Sequence, residues 1–400
     1  MKRVIAVLLM LCICASFTAC NHIEVKPTQN TSETTPTYVN IPTSPSTNEG
    51  TVMQMPMYAI SLPTTEKFEY AADGAVIFQY SYQSVALIGP DPEVADTVIL
   101  DLLNRIDASA SEADTVKQYA HEAYLGAQIQ SPYFYKIQFE PVRLDQSVLS
   151  LYCNSISNCG TSHPITTSSS VNYDLTNGKI LCLSDILITD TSGTILSDFV
   201  IEILAQNKDA YNLYDEYTNT VIDRFNKPLD NDECWHLDEN GLTFYFSPYA
   251  IAPYASGSIS ATISYSDLTG ILKDEYFPAE QETASGEVFA IDFTDEACEN
   301  FSQFSEIIFS ENGKKFIMYT DNYVRNVTLY TGTWDNTNGA FTADSVVYYA
   351  KNLTPGDAIM VQCELNAEIP TLYLRYTSNG EVKNCYIMLN KQTHNVHLIK

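Results

Sequence analysis

Two proline-tyrosine pairs, Pro248-Tyr249 and Pro253-Tyr254, stand between two runs of alternating apolar and polar residues within 242–265. Alternation with a period of two is typical of β-strands, so the pairs lie on a connection that a short turn could have made. Proline fixes φ and lowers the entropy lost when a loop is ordered, so these tyrosines cost little to present to a partner. The connection therefore either presents aromatic side chains for recognition or packs over the sheet edge, with its tyrosines bonded to backbone carbonyls.

Residue types that carry catalysis are present, but their spacing does not favour it. His394 and His397 form an H-x-x-H pair that points to opposite faces of a strand, which disfavours a shared metal ion. Cys159 and His163 could act as nucleophile and base, although a structural role is the simpler interpretation. No G-x-S-x-G elbow occurs, and the many carboxylates neither reveal nor exclude a glycosidase pair. We expect a non-catalytic protein with no metal site and no cofactor.

The cysteines suggest a disulfide and no zinc site. Cys153 and Cys159 are separated by five residues and could form a disulfide across a tight hairpin. Cys182 lies in a strand pattern, where it is equally consistent with a small core residue. No CxxC pair is present, so zinc ligands of the usual spacing are absent from the sequence.

Hydrophobic periodicity places these residues on a mixture of helices and strands. Asp91-Pro92 is a typical helix start, and apolar residues at helical spacing follow it to Ile106. A second helix is expected over 112–124, and two more around 195–204 and 221–225. From about Gly286 helical periodicity fades, and Asn-Gly turns recur between short alternating runs. That pattern is typical of a β-sandwich or barrel.

The predicted fold class is α+β. An antiparallel sheet with helices packed on it is expected over about 56–275, followed by a mostly β domain of the sandwich or barrel type. The expected organisation, in order, is a signal peptide (1–19), a tether (20–55), an N-terminal α+β partner domain (56–150), a second α+β domain (151–277), a linker (278–285) and a β-rich C-terminal domain (286–400).

The N-terminus predicts export and lipidation. Lys2 and Arg3 precede the apolar run Val4–Phe17, which is shorter than the roughly 20 residues that span a bilayer. Thr18-Ala19-Cys20 then resembles a bacterial lipoprotein cleavage box, in which Cys20 receives diacylglycerol. The Thr-, Ser- and Pro-rich segment that follows cannot bury a core and suits a tether. We expect a protein anchored by Cys20 to the outer face of the cytoplasmic membrane of a Gram-positive bacterium; ordinary secretion is the alternative.

The charge balance narrows the class of partner. Asp and Glu number 49 against 21 Lys and Arg, which gives a formal net charge of -28. Nucleic acid is therefore not an expected partner, because phosphate binding needs clustered cations. A basic protein would be attracted and its association accelerated. The alternative interpretation is that the charge serves only solubility and repulsion between copies.

One segment resembles a known family. The stretch Trp235–Leu268 and the upstream stretch from Gly160 to Leu187 are similar to an extracytoplasmic domain of unknown function. Lysozyme-sensing anti-sigma factors of the sigma-V type share this domain with some peptidoglycan deacetylases, where it is non-catalytic. The similarity covers roughly 60–275. Where the family often has Gly-Gly-Ala-His-Pro, this chain has an altered and longer version that ends in His163-Pro164.

The resemblance implies a protein-binding surface, with lysozyme or another basic protein as the partner. The ligand-binding residues it suggests are Ser162, His163, Pro248, Tyr249, Pro253 and Tyr254. The membrane span and cytoplasmic segment of the sensors are missing, so the resemblance implies no signalling. The alternative functions are an accessory protein that binds or processes peptidoglycan, because tyrosines on sheets can stack on sugars, and a cell-wall hydrolase.

Overall fold

The computed structural model describes residues 58–126, 129–189, 192–228, 232–279, 284–310, 313–337 and 339–399. The predicted signal peptide, the tether and Cys20 lie outside these residues. Residues Gly50–Lys400 form one compact unit. Among the helices described, none combines the length and the apolar character that a membrane crossing requires.

The described strands form four sheets, and helices pack on two of them. The helices are α1 (Pro92–Leu125), α2 (Leu183–Ile186), α3 (Ser192–Gln206), α4 (Lys208–Tyr211), α5 (Tyr217–Phe225) and α6 (Asp295–Cys298). The strands up to residue 264 are β1 (Ala59–Ser61), β2 (Thr64–Tyr70), β3 (Val76–Gln83), β4 (Ala86–Ile88), β5 (Tyr133–Leu144), β6 (Val148–Asn158), β7 (Ile165–Asp174), β8 (Lys179–Ile180), β9 (Trp235–Leu237), β10 (Gly241–Phe246) and β11 (Ile259–Ser264). The later strands are β12 (Val288–Asp292), β13 (Gln303–Ile308), β14 (Lys314–Thr320), β15 (Val324–Asp335), β16 (Ala340–Leu353), β17 (Asp357–Cys363), β18 (Leu372–Ser378), β19 (Glu381–Leu389) and β20 (Val396–Ile399).

A six-stranded sheet of order β2-β3-β5-β6-β7-β8 carries α1 on one face. Its neighbours are antiparallel except β3 and β5, which run parallel. A parallel pair needs a crossover connection, and α1 supplies it. In β5, Tyr135, Ile137 and Phe139 face α1 and are buried in the first hydrophobic core. The alternate residues of β5 therefore point to the opposite face of the sheet.

Helix α1 is one continuous helix, whereas the sequence pattern predicted two. Asp91 caps its first turn by accepting hydrogen bonds from the backbone N–H groups of Glu93 and Val94. The segment between the two predicted helices contains neither glycine nor proline. Ser109 there is buried and bonds both the carbonyl of Ile106 and the hydroxyl of Tyr80. Because nothing in this segment breaks the backbone ladder, the helix runs through it.

A three-stranded antiparallel sheet, β9-β10-β11, packs against α2, α3 and α5 around a second hydrophobic core. Leu242, Phe244 and Phe246 of β10 all point into this core, as their alternation predicts. Trp235, only 1% exposed, is the largest side chain of the core. Helices predicted around 195–204 and 221–225 correspond to α3 and α5.

The C-terminal part forms a sandwich of two sheets. A four-stranded sheet of order β12-β14-β17-β13 faces a seven-stranded sheet of order β20-β19-β18-β15-β16-β1-β4, and the third hydrophobic core lies between them. Leu329, Leu374 and Ile387 of the larger sheet are among its fully buried members. The chain as described is thus mainly β, with helices packed on separate sheets, in keeping with an α+β class.

The sheets do not follow the predicted segment boundaries. β1 pairs with β16, with Ala59 opposite Ala350, so the start of the predicted partner domain belongs to the C-terminal sheet. The predicted boundary at 150/151 falls inside β6. Strand pairing between distant segments is chosen by tertiary packing, which local periodicity does not report.

Two buried cationic side chains connect the three-stranded sheet to the six-stranded and seven-stranded sheets. Arg143 of β5 has a side chain that is 1% exposed, and it donates to the hydroxyl of Tyr265 at 2.8 Å and to the carbonyl of Tyr276 at 2.7 Å. Lys351 of β16 forms an ion pair with Glu239 in the turn between β9 and β10, and its side chain is 8% exposed. The three-stranded sheet is therefore tied to both of its larger neighbours by desolvated cations.

Candidate functional site

The β10–β11 loop, residues 247–258, carries both proline-tyrosine pairs. Buried residues at its centre and hydrogen bonds to the segment 211–214 hold it in place. Ile251 and Ala252 at its centre are 1% and 3% exposed and belong to the second core. The carbonyl of Ile251 accepts from the backbone N–H of Tyr214 at 2.9 Å. The Ser256 hydroxyl donates to the carbonyl of Tyr211 at 2.8 Å. The loop is therefore packed through its middle, while its ends are free to present side chains.

Tyr249 is the most exposed member of the loop's aromatic residues. Its side chain is 62% exposed and its backbone has φ of 71°, in the left-handed region. This region is unfavourable for a residue with a bulky side chain and persists only when the surroundings impose it. Here the buried Ile251 and a hydrogen bond from the N–H of Ala250 to the carbonyl of Ser247, at 3.0 Å, impose it. A large ring is thus held outward at a conformational cost.

Three rings from two separate loops meet on this surface. The rings of Tyr249 and Tyr254 have centroids 5.5 Å apart and an interplanar angle of 33°. The ring of His163 lies 5.3 Å from that of Tyr254, at 34°. We call His163, Tyr249 and Tyr254 the aromatic cluster. Such distances and tilts are those of favourable ring contacts, so the cluster forms one surface.

The second loop, residues 159–164 between β6 and β7, presents His163. Asn158 accepts from the backbone N–H of Gly160 at 2.8 Å, and the Thr161 hydroxyl donates to the carbonyl of His163 at 2.6 Å. Gly160 has φ of 78°, and a Cβ there would lie 2.6 Å from the hydroxyl of Tyr133. Only glycine fits this turn, which directs the chain back over the sheet toward the β10–β11 loop.

The structure brings some of the predicted binding residues together and leaves others at the margin. His163, Tyr249 and Tyr254 make the ring contacts described above. Ser162 is exposed beside His163, and Pro253 is exposed beside Tyr254. Pro248 is half-buried and supports the loop more than its surface.

The predicted disulfide between Cys153 and Cys159 is wrong. Both are free cysteines, and Cys153 lies within the extended strand β6 while Cys159 directly follows it. Six residues of extended chain separate their Cα atoms by about 20 Å, far beyond disulfide reach. The turn that was expected between them comes after Cys159 instead. Burial raises the pKa of the Cys153 thiol to about 11.

Acidic residues lie in the segment 209–216, whose backbone hydrogen-bonds the β10–β11 loop. Asp215 and Glu216 follow Tyr214, whose backbone bonds the loop, and both are exposed. Asp209 is exposed on α4, next to the carbonyl of Tyr211 that Ser256 bonds. Lys208 offsets part of this charge through a 3.1 Å ion pair with Asp215, although the Asp215 carboxylate remains 92% exposed. The segment that hydrogen-bonds the loop thus carries exposed acidic side chains.

Sequence patterns did not reveal a buried Ser170–His236–Asp238 alignment. The Ser170 hydroxyl lies 3.4 Å from Nδ1 of His236, and Nε2 of His236 lies 3.9 Å from the Asp238 carboxylate. Ser170 and His236 are 6% and 8% exposed, and the Tyr245 hydroxyl lies 2.9 Å from Ser170. Burial lowers the pKa of His236. The arrangement is buried and joins β7 to β9 and β10. Its sequence signal was the polar residues among the apolar ones of "WHLDENGLTFY".

Comparison with known proteins identifies one domain. A family described as protein of unknown function (DUF3298) matches residues 184–266, which include Tyr249 and Tyr254 but not His163. The match lies inside the segment that resembles a domain of unknown function, and it supports the resemblance at the level of that domain. No curated protein matches the chain.

Two solved structures are similar to this chain over about half its length. One is a DUF3298 family member from Bacteroides fragilis NCTC 9343, 18% identical, with 54% of this chain and 94% of that chain covered and a TM-score of 0.41. The other is a DUF3298 family protein from Pseudomonas aeruginosa PAO1, also 18% identical, with 55% and 97% covered and a TM-score of 0.40.

Proposed function

We propose that this protein is a lipid-anchored extracytoplasmic receptor that binds a basic protein, such as lysozyme, through the aromatic cluster. The proposal treats the protein as a binding protein and assigns it no reaction. The observation that carries it is the meeting of His163, Tyr254 and the 62% exposed Tyr249 on one surface. Tyrosine is enriched among the residues that dominate binding energy at protein interfaces.

Preorganisation of the loop supports the proposal. The buried Ile251 and the two hydrogen bonds from the helical side fix the loop before a partner arrives. Binding to a fixed loop loses little conformational entropy, so more of the contact energy appears as affinity. The left-handed backbone conformation of Tyr249 also supports the proposal, because strained positions concentrate at binding sites.

Charge supports a basic partner. The chain carries a formal net charge of -28, and Asp209, Asp215 and Glu216 belong to the segment that hydrogen-bonds the loop. Opposite charge steers association and makes its rate depend on salt. The similarity of Trp235–Leu268 to the domain of lysozyme-sensing anti-sigma factors suggests lysozyme as the first partner to test. Anchoring would rest on Cys20, which lies outside the residues that the structure describes.

The test is binding of the chain from residue 50 onward to hen lysozyme, over a series of salt concentrations. We expect Tyr254→Ala and Tyr249→Ala each to weaken binding by more than about 1 kcal/mol, or roughly fivefold. Tyr70→Ala is the matched control, because Tyr70 is 58% exposed on β2, outside the aromatic cluster. Equal affinity for all three variants, lost equally with salt, would mean nonspecific charge attraction and would overturn the proposal.

A further inference from the structure

A cleft of about 190 Å³ lies where the six-stranded sheet meets the seven-stranded sheet. One wall is the polar face of β5 and β6, which points away from α1 and carries Gln138, Glu140 and Asn154. The opposite wall comes from β15 and β16 and includes Tyr330 and Asp344. The cleft is separate from the aromatic cluster, since it shares none of its residues.

The lining of the cleft is rich in hydrogen-bonding groups. The Gln138 amide donates to the carbonyl of Asp344 at 3.0 Å, which fixes its orientation across the cleft. Glu140 lines the cleft with no ion pair or hydrogen bond to the residues that the structure describes. Glu140 is exposed at the cleft, so its carboxylate can accept hydrogen bonds from a ligand.

A row of aromatic rings leads away from the cleft. Tyr330 on β15 is directly opposite Tyr373 on β18, and Tyr373 is directly opposite Tyr386 on β19. Their ring centroids are 5.8 Å and 5.6 Å apart, in that order. Phe341 stacks on Tyr373 at 5.5 Å, and Trp334 lies 5.5 Å from Tyr386. We call these five residues the aromatic row.

The aromatic row is on the outer face of the sandwich. The chain neighbours Leu329, Leu372 and Ile387 point into the third hydrophobic core, so the alternate rings point away from it. All five residues are partly buried, and Tyr330 also packs against the first hydrophobic core. Hydrogen-bonding groups flank them: Arg375 and Asn384 are exposed, and Asn384 accepts from the Tyr373 hydroxyl at 2.5 Å.

Rings in a row with amides and carboxyls beside them fit a carbohydrate. A sugar ring offers an apolar C–H face that packs on aromatic rings, and hydroxyl groups at its edge that bond amide and carboxyl oxygens. Binding sites of this kind combine apolar surface with a few placed polar groups. Glu140, Asp344 and the net charge of -28 oppose a polyanionic chain.

We propose that the aromatic row and the cleft together bind an uncharged oligosaccharide. One sugar unit sits in the cleft against Tyr330, with Gln138 and Glu140 at its hydroxyl groups, and the following units pack along Tyr373 and Tyr386. This glycan site is independent of the protein-binding surface and does not require it. The two sites lie in different parts of the fold and have no residue in common.

The fluorescence of Trp334 offers a direct measurement. The chain has two tryptophans, and the other, Trp235, is 1% exposed in the second core. We would titrate the full chain with hexamers of β-1,4-linked N-acetylglucosamine and of glucose, and with oligogalacturonate as the anionic comparison. A saturable change in emission with a neutral hexamer is expected, and none with the anion. Trp334→Phe should abolish the change while calorimetry still detects binding.

Substitutions test whether the hexamer binds at the cleft and the aromatic row. Tyr373→Ala and Glu140→Ala should each weaken binding of the neutral hexamer roughly fivefold or more. Gln138→Ala tests the cleft through a half-buried side chain that is no part of a hydrophobic core. Tyr70→Ala and Tyr254→Ala should bind the hexamer like the wild type, which separates this site from the aromatic cluster. No calorimetric binding of either neutral hexamer, or equal affinity in the wild type and in Gln138→Ala and Glu140→Ala, would overturn the proposal.

Discussion

The ring of His163 lies 5.3 Å from the ring of Tyr254, although the two residues come from loops of different sheets. The contact joins the β6–β7 turn to the β10–β11 loop, and the position of each loop therefore depends on the other.

This contact predicts energetic coupling in partner binding. His163→Ala and Tyr254→Ala should each weaken lysozyme binding, and the double variant should lose less than the sum of the two. Residues in contact typically show interaction energies of about 0.5–3 kcal/mol. Calorimetry on the four proteins of the cycle measures the coupling. Strict additivity would mean that the two rings act as separate contacts, against the single surface proposed here.

The left-handed backbone of Tyr249 allows stability and binding to be separated. Asparagine tolerates positive φ better than tyrosine, so Tyr249→Asn should keep or slightly raise the free energy of unfolding while it removes the exposed ring. Tyr249→Val should lower that free energy by about 1–3 kcal/mol, because a β-branched residue is strained there. Urea denaturation and lysozyme binding on both variants check this. A clear loss of stability in Tyr249→Asn would contradict the strain argument.

The buried ion pair between Lys351 and Glu239 predicts that removing one partner lowers the free energy of unfolding more than removing both. Lys351→Met leaves the Glu239 carboxylate partly buried without its cation and should cost about 3 kcal/mol. Lys351→Met combined with Glu239→Gln should cost less, because the carboxylate charge is removed together with the ammonium charge. The matched control is Lys391→Met, whose pair with Glu368 is exposed on both sides and should contribute less than about 1 kcal/mol. Equal small losses in both single variants would show that the Lys351 pair is not desolvated.

His236 predicts a pH dependence of stability. Burial holds its pKa below the value of about 6.5 expected in the unfolded chain. At a pH between the pKa of the folded state and that of the unfolded state, the unfolded state binds a proton that the folded state does not. The free energy of unfolding therefore falls as the pH drops below about 6.5. The slope from this group is at most about 1.4 kcal/mol per pH unit. His236→Gln should flatten the difference between denaturation curves at pH 6.5 and 5; parallel behaviour of wild type and variant would argue against a buried neutral histidine.

If the protein is lipid-anchored as proposed, its attachment to membranes should depend on the thiol of Cys20. Expressed in a Gram-positive host, the wild type should incorporate labelled fatty acid and sediment with membranes. Cys20→Ser should do neither, whereas Cys298→Ser should behave like the wild type, because Cys298 lies in α6 of the folded part. Fatty-acid label on the Cys20→Ser protein would refute lipidation at this position.

Local patterns predicted local structure well. The strands β10 and β11 follow the alternation of their residues, and Asn379-Gly380 forms the tight turn between β18 and β19 with φ of 53° and 74°. These features depend on side chains within a few residues of one another, so the sequence reports them directly.

Nonlocal features could not be predicted in the same way. The pairing of Ala59 with Ala350 and the meeting of His163 with Tyr254 join segments far apart in the chain, and no spacing encodes them. The proline-tyrosine pattern supplied the two tyrosines as candidates, and the resemblance to a known domain added His163, but neither predicted their contact. The disulfide error has the same origin, because five intervening residues fit a hairpin and an extended strand equally well until pairing partners are known.

The short strand β1 has a mechanical consequence. It is hydrogen-bonded on both sides, to β16 and to β4, with antiparallel register through Ala59, Ile60 and Ser61. A pulling force that reaches the folded part from its N-terminal side would load these hydrogen bonds together in shear and pass into the sandwich.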